Sequence, residues 1–286
     1  MNPYIIFRLV LGGQELIISK TSVYRLVNYD GIEAADYDLT IVGNAVTDGG
    51  YIQSARIGAR NISVTFMIHD KAQTETLRSW LISYLKPKVE GTLYVSRNGM
   101  TRRIACQLAN KPDFTQANII DDRLAVSINL ICPQPYFLDE NDTVVQHLVF
   151  MPTLNFPLTF FPGGGVTVGI QIVSDTTTII NNGDTDIGIV CEITADKGAI
   201  TNPKISIDSV NYVRVIKVLE IGDSIEINTN PGEKDVKFNG VSNFIYDITS
   251  VFFSVTPGTH TITITADAGA NNASSAYTYA LKYLGV

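Results

Sequence analysis

The 286-residue chain is poor in the residue types that carry chemistry: it has one tryptophan, three cysteines and three histidines. Three cysteines cannot build a disulfide framework, no CxxC pair occurs, and nothing calls for an oxidising compartment. Cys106, Cys132 and Cys191 each sit on the apolar side of a strand-like alternation, between Ile104 and Leu108, after Leu130, and between Ile189 and Ile193. They read as small buried apolar residues, not as reactive thiols. His69, His147 and His260 are far apart, and none has a His, Cys or Glu at ligand spacing. There is no HExxH and no Asp-rich calcium loop.

Phosphate cradles are missing too. Gly163-Gly164-Gly165 with Gly169 fails the GxGxxG spacing, because Val168 holds the last position, and no helix follows to supply a dipole. No GxxxxGK[ST] and no GxSxG occurs. The acidic pairs Asp121-Asp122 and Asp139-Glu140 fall at turn or linker positions, and Asp184 and Asp186 follow a turn glycine, where they are expected to bond local backbone amides. The sequence therefore offers no catalytic, cofactor-binding or metal-ligating residue, and no cofactor is expected.

Long apolar runs are scarce. Arg8 interrupts Tyr4–Val10, and no basic segment precedes it, so no signal peptide is expected. The longest stretch without Asp, Glu, Lys or Arg, Thr143 to Ser174, contains Pro152, Pro157, Pro162 and three consecutive glycines, which exclude a membrane helix and predict a soluble protein.

What is present is strand. Hydrophobic residues make up 45% of the chain and charged ones 17%, enough for real cores and too apolar for disorder. Ile62, Val64, Phe66 and Ile68 alternate with Asn61, Ser63, Thr65 and Met67, and Leu124, Val126, Ile128, Leu130 and Cys132 share one face of a later strand. Asn98-Gly99 marks a two-residue hairpin turn, with Ile104, Cys106 and Leu108 on the return strand. One segment has helical spacing instead: Leu77, Trp80, Leu81, Tyr84 and Leu85 predict a helix over 71–86, capped by Asp70 with Gln73 as its reciprocal partner and stopped by Pro87. Residues 30–60 are polar and Gly-rich, which predicts an arm or long hairpin that reaches a neighbour.

The charge divides unevenly. Residues 1–140 carry 14 Lys/Arg and 14 Asp/Glu; residues 141–286 carry 7 and 14, which accounts for the whole net charge of −7. Cys132-Pro133-Gln134-Pro135-Tyr136-Phe137 cannot continue a central strand and reads as an exit and linker. Beyond it, rows such as Val166/Val168/Ile170/Ile172, Ile189/Cys191/Ile193, Ile225/Ile227, Ile262/Ile264 and Tyr277/Tyr279/Leu281/Tyr283 are divided by Asn182-Gly183, Pro231-Gly232, Asn239-Gly240 and Pro257-Gly258. Short strands without a helix predict a jelly-roll sandwich. The fold class is thus mainly β, with a β-rich domain carrying one helix over 1–138 and a β-sandwich over 139–286. An acidic pI near 5.0 argues against nucleic acid. Nine Lys/Arg between 56 and 103 against three acids read as a solvated face or a subunit contact.

In this order the parts resemble the distal tail proteins of long-tailed bacteriophages, especially those infecting Gram-positive hosts. The resemblance rests on the Gly-rich segment before Arg60-Asn61-Ile62, the strand Ile62–Ile68, the helix ending in Lys86-Pro87, and the closing Cys132-Pro133-Gln134-Pro135-Tyr136-Phe137. It continues through Asn182-Gly183-Asp184, Gly222-Asp223, Thr229-Asn230-Pro231-Gly232-Glu233-Lys234, and Ser250 to Phe253 before Pro257-Gly258. It implies a structural virion protein without enzymatic activity: a homo-hexameric ring built by residues 1–138 on the tail tube protein, at the distal end of the tail. A galectin-like C-terminal half would hold receptor-binding or baseplate proteins, and a tail-associated fibre protein would meet the far side. The chain leaves no room for an inserted carbohydrate-binding module. The alternative, a carbohydrate-binding or adhesin sandwich, needs exposed aromatic platforms, whereas Trp80 and the Tyr277/Tyr279/Tyr283 row read as core.

Overall fold

The alternations fold as strands whose apolar faces turn inward. The computed structural model describes residues 5–44, 46–114, 119–120, 123–147, 150–152, 169–171 and 176–286. Val166, Val168, Ile172, the Gly163–Gly165 run and Asp121-Asp122 lie outside the described residues. Two compact units divide the chain: Met1–Asn141 together with Lys282–Val286, and Asp142–Leu281.

In the first unit, β1 (Ile5–Leu11), β2 (Gln14–Ser19), β3 (Tyr24–Asp30), β4 (Tyr37–Gly43), β5 (Gly50–Ile57), β6 (Arg60–Ile68), β7 (Glu90–Arg97), β8 (Met100–Leu108) and β9 (Arg123–Cys132) follow in order. Seven of these form a barrel, β8-β7-β1-β2-β3-β6-β9, closed where Leu130 pairs with Leu108 and Ile131 with Gln107. Closure removes the free sheet edges that a strand would otherwise present. Phe7, Leu9, Leu16, Ile18, Phe66 and Leu93 are fully buried inside. The β7–β8 turn is Asn98-Gly99, both with positive φ (52° and 84°), as a two-residue hairpin of this type demands.

The helix α1 runs Thr74–Tyr84, shorter than the 71–86 that the spacing predicts. Its N-cap is Gln73, which makes no side-chain cap. The Asp70 carboxylate accepts instead from the Ala72 N–H, and the Thr74 hydroxyl donates to the Asp70 carbonyl, so these residues close a turn ahead of the helix. Leu81 and Tyr84 are buried, and the Tyr84 hydroxyl donates to the Leu9 carbonyl on the barrel. Trp80 is half-buried, stacked between Tyr24 (6.0 Å) and Tyr84 (4.9 Å).

The Pro133–Phe137 segment is not a free linker. It turns and continues as β10 (Phe137–Asp139), which pairs with β8 on one side and with the strand Lys282–Tyr283 on the other. Phe137 is fully buried. Tyr283, expected on the core row of the second half, packs on the first unit's core. Five residues from the far end of the sequence complete this unit, a pairing that no local pattern encodes.

The second unit is a sandwich. Its strands are β11 (Thr143–His147), β12 (Thr176–Asn181), β13 (Val190–Ala195), β14 (Lys204–Ser206), β15 (Tyr212–Arg214), β16 (Ser224–Asn228), β17 (Asp235–Phe238), β18 (Val241–Ser242), β19 (Gly258–Thr265) and β20 (Ala273–Tyr279). Six form the sheet β11-β20-β13-β16-β17-β18, and four form β12-β19-β14-β15. Ile193, Ile225, Ile227, Ile262, Tyr277 and Cys191 meet in the core, as their period-two spacing predicts. The Asn182-Gly183 turn is organised by buried Asn181, whose amide donates to the Thr185 and Val255 carbonyls while its oxygen accepts from the Gly183 N–H.

Candidate functional site

The three cysteines are buried and unpaired with one another. Burial pushes the Cys106 and Cys132 thiols up to about 12 and the Cys191 thiol higher still. Such thiols carry almost no thiolate at neutral pH. Burial depresses His69, and the Arg25 and Arg123 charges add to this, against Asp70. His260 pairs with the Thr256 hydroxyl at 3.2 Å. Among the described residues no three His, Cys, Asp or Glu side chains gather as a metal group would require.

The basic run 56–103 divides: Arg56, Lys71, Lys86 and Lys88 are exposed, whereas Arg60, Arg97 and Arg102 reach main-chain carbonyls. Arg60 is 2% exposed. Its guanidinium donates to the carbonyls of Pro135 (2.8 Å), Gly31 (2.9 Å) and Leu284, and lies 5.0 Å from the Phe137 ring. Arg97 donates to the Val286 main-chain oxygen and to Glu33; Arg102 donates to the Gly285 carbonyl and stacks over the Tyr283 ring at 3.6 Å. Three arginines therefore capture residues 283–286 against the barrel. Gly285 lies so close to the Glu33 carbonyl that a Cβ would overlap it. The sequence reading of a solvated face or subunit contact is overturned for these three residues, because proximity in sequence to other cations says nothing about the carbonyls that the fold brings to them.

The segment 30–60 does form a hairpin. β4 and β5 pair only with each other, from Tyr37↔Ile57 to Gly43↔Gly50, with a register shift after Thr40. Tyr37, Leu39, Ile41, Val46, Tyr51 and Ile52 are all exposed on it. A lone two-stranded hairpin is at best marginally stable in water, and this one exposes apolar side chains on both strands and at its turn.

The second unit has an apolar side that sequence reasoning missed. Residues 243–252 form a strap from β17 to β15: Asn243 N–H donates to Val236, Ile216 N–H to Ile245, Asp247 N–H to Arg214, and Val251 N–H to Tyr212. Phe244 and Ile248 stand out on it, 91% and 97% exposed. The available signal was an apolar stretch, Val241-x-x-Phe244-Ile245-Tyr246-x-Ile248, that keeps no strand period between two turn dipeptides.

Comparison with known proteins says which family combines such a barrel with such a sandwich. Residues 23–145 match the phage tail protein RIFT-related domain, and residues 182–283 match the C-terminal domain of the siphovirus-type tail component. The chain belongs to this family of phage distal tail proteins. Its fold is that of the distal tail protein of phage SPP1, whose crystal structure is described as a paradigm of the hub adsorption apparatus in Gram-positive infecting phages. The TM-score is 0.69 at 13% identity, over 97% of this chain and 99% of that one. A chain of the phage P2 baseplate, in its activated conformation with calcium, matches at TM-score 0.51 and 10% identity over 99% of both chains. At these identities the likeness is one of fold. No curated protein matches the chain. The resemblance read from the residues is therefore borne out, and the protein is a structural component of a phage tail.

Proposed function

We propose that this distal tail protein is a hub at the end of the tail tube of a long-tailed phage or prophage, where six copies form a ring. The first unit builds the ring and stacks on the tail tube protein. The sandwich holds receptor-binding or baseplate proteins, and a tail-associated fibre protein meets the far side. The role is mechanical, without catalysis, metal or cofactor. The observation that carries this reading is the β4–β5 hairpin, with six exposed apolar side chains and no partner strand outside itself among the described residues. Such an arm is stabilised when a neighbouring copy covers it, and a closed ring covers every arm equally.

Electron microscopy of the full-length chain, with light scattering, tests this: six-fold rings are expected. Ile41→Asp with Tyr51→Asp should leave both units folded by circular dichroism and give monomers. Rings that persist with both arm substitutions, or a wild-type chain that stays monomeric even with tail tube protein added, would refute the assignment.

A further inference from the structure

We infer that the strap side of the sandwich is the docking surface for a tail-tip protein with an apolar knob and a basic rim. This rests on the hub reading and says where on the sandwich that partner is held.

The first argument is distribution. Among the described residues of the second unit, eight of the ten exposed large hydrophobics fall within 210–251; only Val144 and Ile180 lie elsewhere. That span runs from β15 through β16, β17 and β18 to the strap. The strap bonds β17 at one end and β15 at the other, and Ile216 bonds Ile245, so Ile216, Val241, Phe244, Ile248 and Val251 belong to the strap side of the sandwich. Scattered single apolar residues need no explanation, but a one-sided accumulation does.

The second argument is preorganisation. Ile216 donates its N–H to Ile245 at 2.6 Å, which fixes Ile216 beside the strap. The Phe244 ring lies 6.4 Å from that of Tyr246, and Tyr246 meets Phe252 edge-on at 5.2 Å. Tyr246 and Phe252 pack in turn on the core cluster. A nearly naked phenylalanine is thus held on a buttressed row of rings, so little conformational freedom is lost when a partner covers it. An exposed aromatic on such a support, on the side of the sandwich where other apolar residues are exposed, offers a large area for a partner to bury.

Charge selects the occupant. The unit carries six Lys/Arg against fourteen Asp/Glu, a net of −8. The span of the patch itself carries Glu220, Asp223, Glu226, Glu233, Asp235 and Asp247 against Arg214, Lys217, Lys234 and Lys237, and of these cations Arg214 is engaged by both carboxylate oxygens of Asp267 and Lys237 by Glu226. A second acidic sandwich or an anionic bilayer would be repelled, and a basic protein surface would be steered in. The edge of β15 is already bonded by the strap, so recognition runs through side chains, not through an added strand.

The test uses assembled tails carrying the full chain with Phe244→p-benzoylphenylalanine. Val144, on the opposite edge strand β11, takes the same label as control. After irradiation, mass spectrometry should place the Phe244 adduct on one other tail protein, at a peptide with Lys or Arg beside apolar residues. Tails built with Phe244→Asp should lose at least tenfold of that protein, while Val144→Asp tails keep it. Adducts to a second copy of this chain, to lipid or to glycan overturn the assignment, as does labelling no stronger than at Val144. So does a full complement of partner in Phe244→Asp tails. If the labelled chain never enters tails at all, the hub reading fails first and the docking surface falls with it.

Discussion

The two units use charge in opposite ways. In the first unit, arginines turn inward or along the barrel wall to main-chain carbonyls, with Arg60 the extreme case of a buried cation satisfied by three of them. In the second, carboxylates hold turns. Asp208 accepts the Val210 and Asn211 N–H groups at 2.7 Å each, Asp223 that of Glu220, and Asp247 that of Thr249. The Asn211 amide on Asp208, the Asn239 amide on Asp223 and the Thr249 N–H on Asp247, joined by the other bonds just named, favour the charged form, so all three titrate below their ordinary range. Charged side chains are thus structural in both units, yet the cations of one fasten distant segments and the anions of the other close local loops. Removing a cation from the first should therefore be felt across the whole unit, whereas removing an acid from the second should be felt at one turn.

Arg60→Met is the sharpest way to break that contrast. It strands the Gly31, Pro135 and Leu284 carbonyls, and three acceptors left without their donor, at about 1–2 kcal/mol each, cost about 3–5 kcal/mol together. Denaturant unfolding of the full chain should show the first unit's transition shifted by that much and the second unit's unmoved. Deleting residues 282–286 removes Tyr283 from the core and the acceptors of Arg97 and Arg102. About 2–3 kcal/mol should be lost from the same transition, on the scale of one buried side chain. A fragment that stops at residue 138 lacks this segment, so the ring-forming unit is better probed in the full chain.

Smaller effects separate the units by pH. A carboxylate whose folded value is depressed stabilises the fold above its unfolded value, near 3.8 here, and loses that contribution as pH falls through the lower folded value. Thermal scans between pH 5 and 3 should therefore show the second unit weakening more steeply. The thiols act in the other direction. Cys106 and Cys132 have folded values raised from 9.0 to about 12, so their contribution is intact below pH 9 and is lost as pH climbs toward 12. The first unit should weaken between pH 9 and 11, and by less in Cys106→Ala with Cys132→Ala. Least of all, iodoacetamide at pH 8 should leave all three cysteines unmodified until denaturant is added.

Much of the architecture was legible in the residues. Period-two spacing located β6, β9, β13, β16 and β19 with their buried faces, and Asn98-Gly99 fixed the β7–β8 turn. Leu77, Trp80, Leu81 and Tyr84 located the helix, although Asp70 promised a cap that the turn at Ala72 took instead. Composition alone marked 30–60 as an arm or long hairpin, and a hairpin occupies 37–57 of it, while Ile32 and Ala35 are buried. The strap was harder to see, because its apolar residues follow no period, and exposure cannot be inferred from hydrophobicity.

Local spacing and turn chemistry, then, determined that this chain would be two β-rich bodies with one helix and inert cysteines. Both are readable within a window of a dozen residues, because they depend on which side of a strand or helix a side chain falls. Tertiary structure alone decided that the barrel closes through Leu108 and Leu130, that Arg60, Arg97 and Arg102 hold the chain's last residues, and that Phe244 stands uncovered. Those outcomes depend on contacts between residues up to 224 positions apart. A backbone carbonyl looks the same in every residue, so no sequence pattern announces which one a buried guanidinium will find.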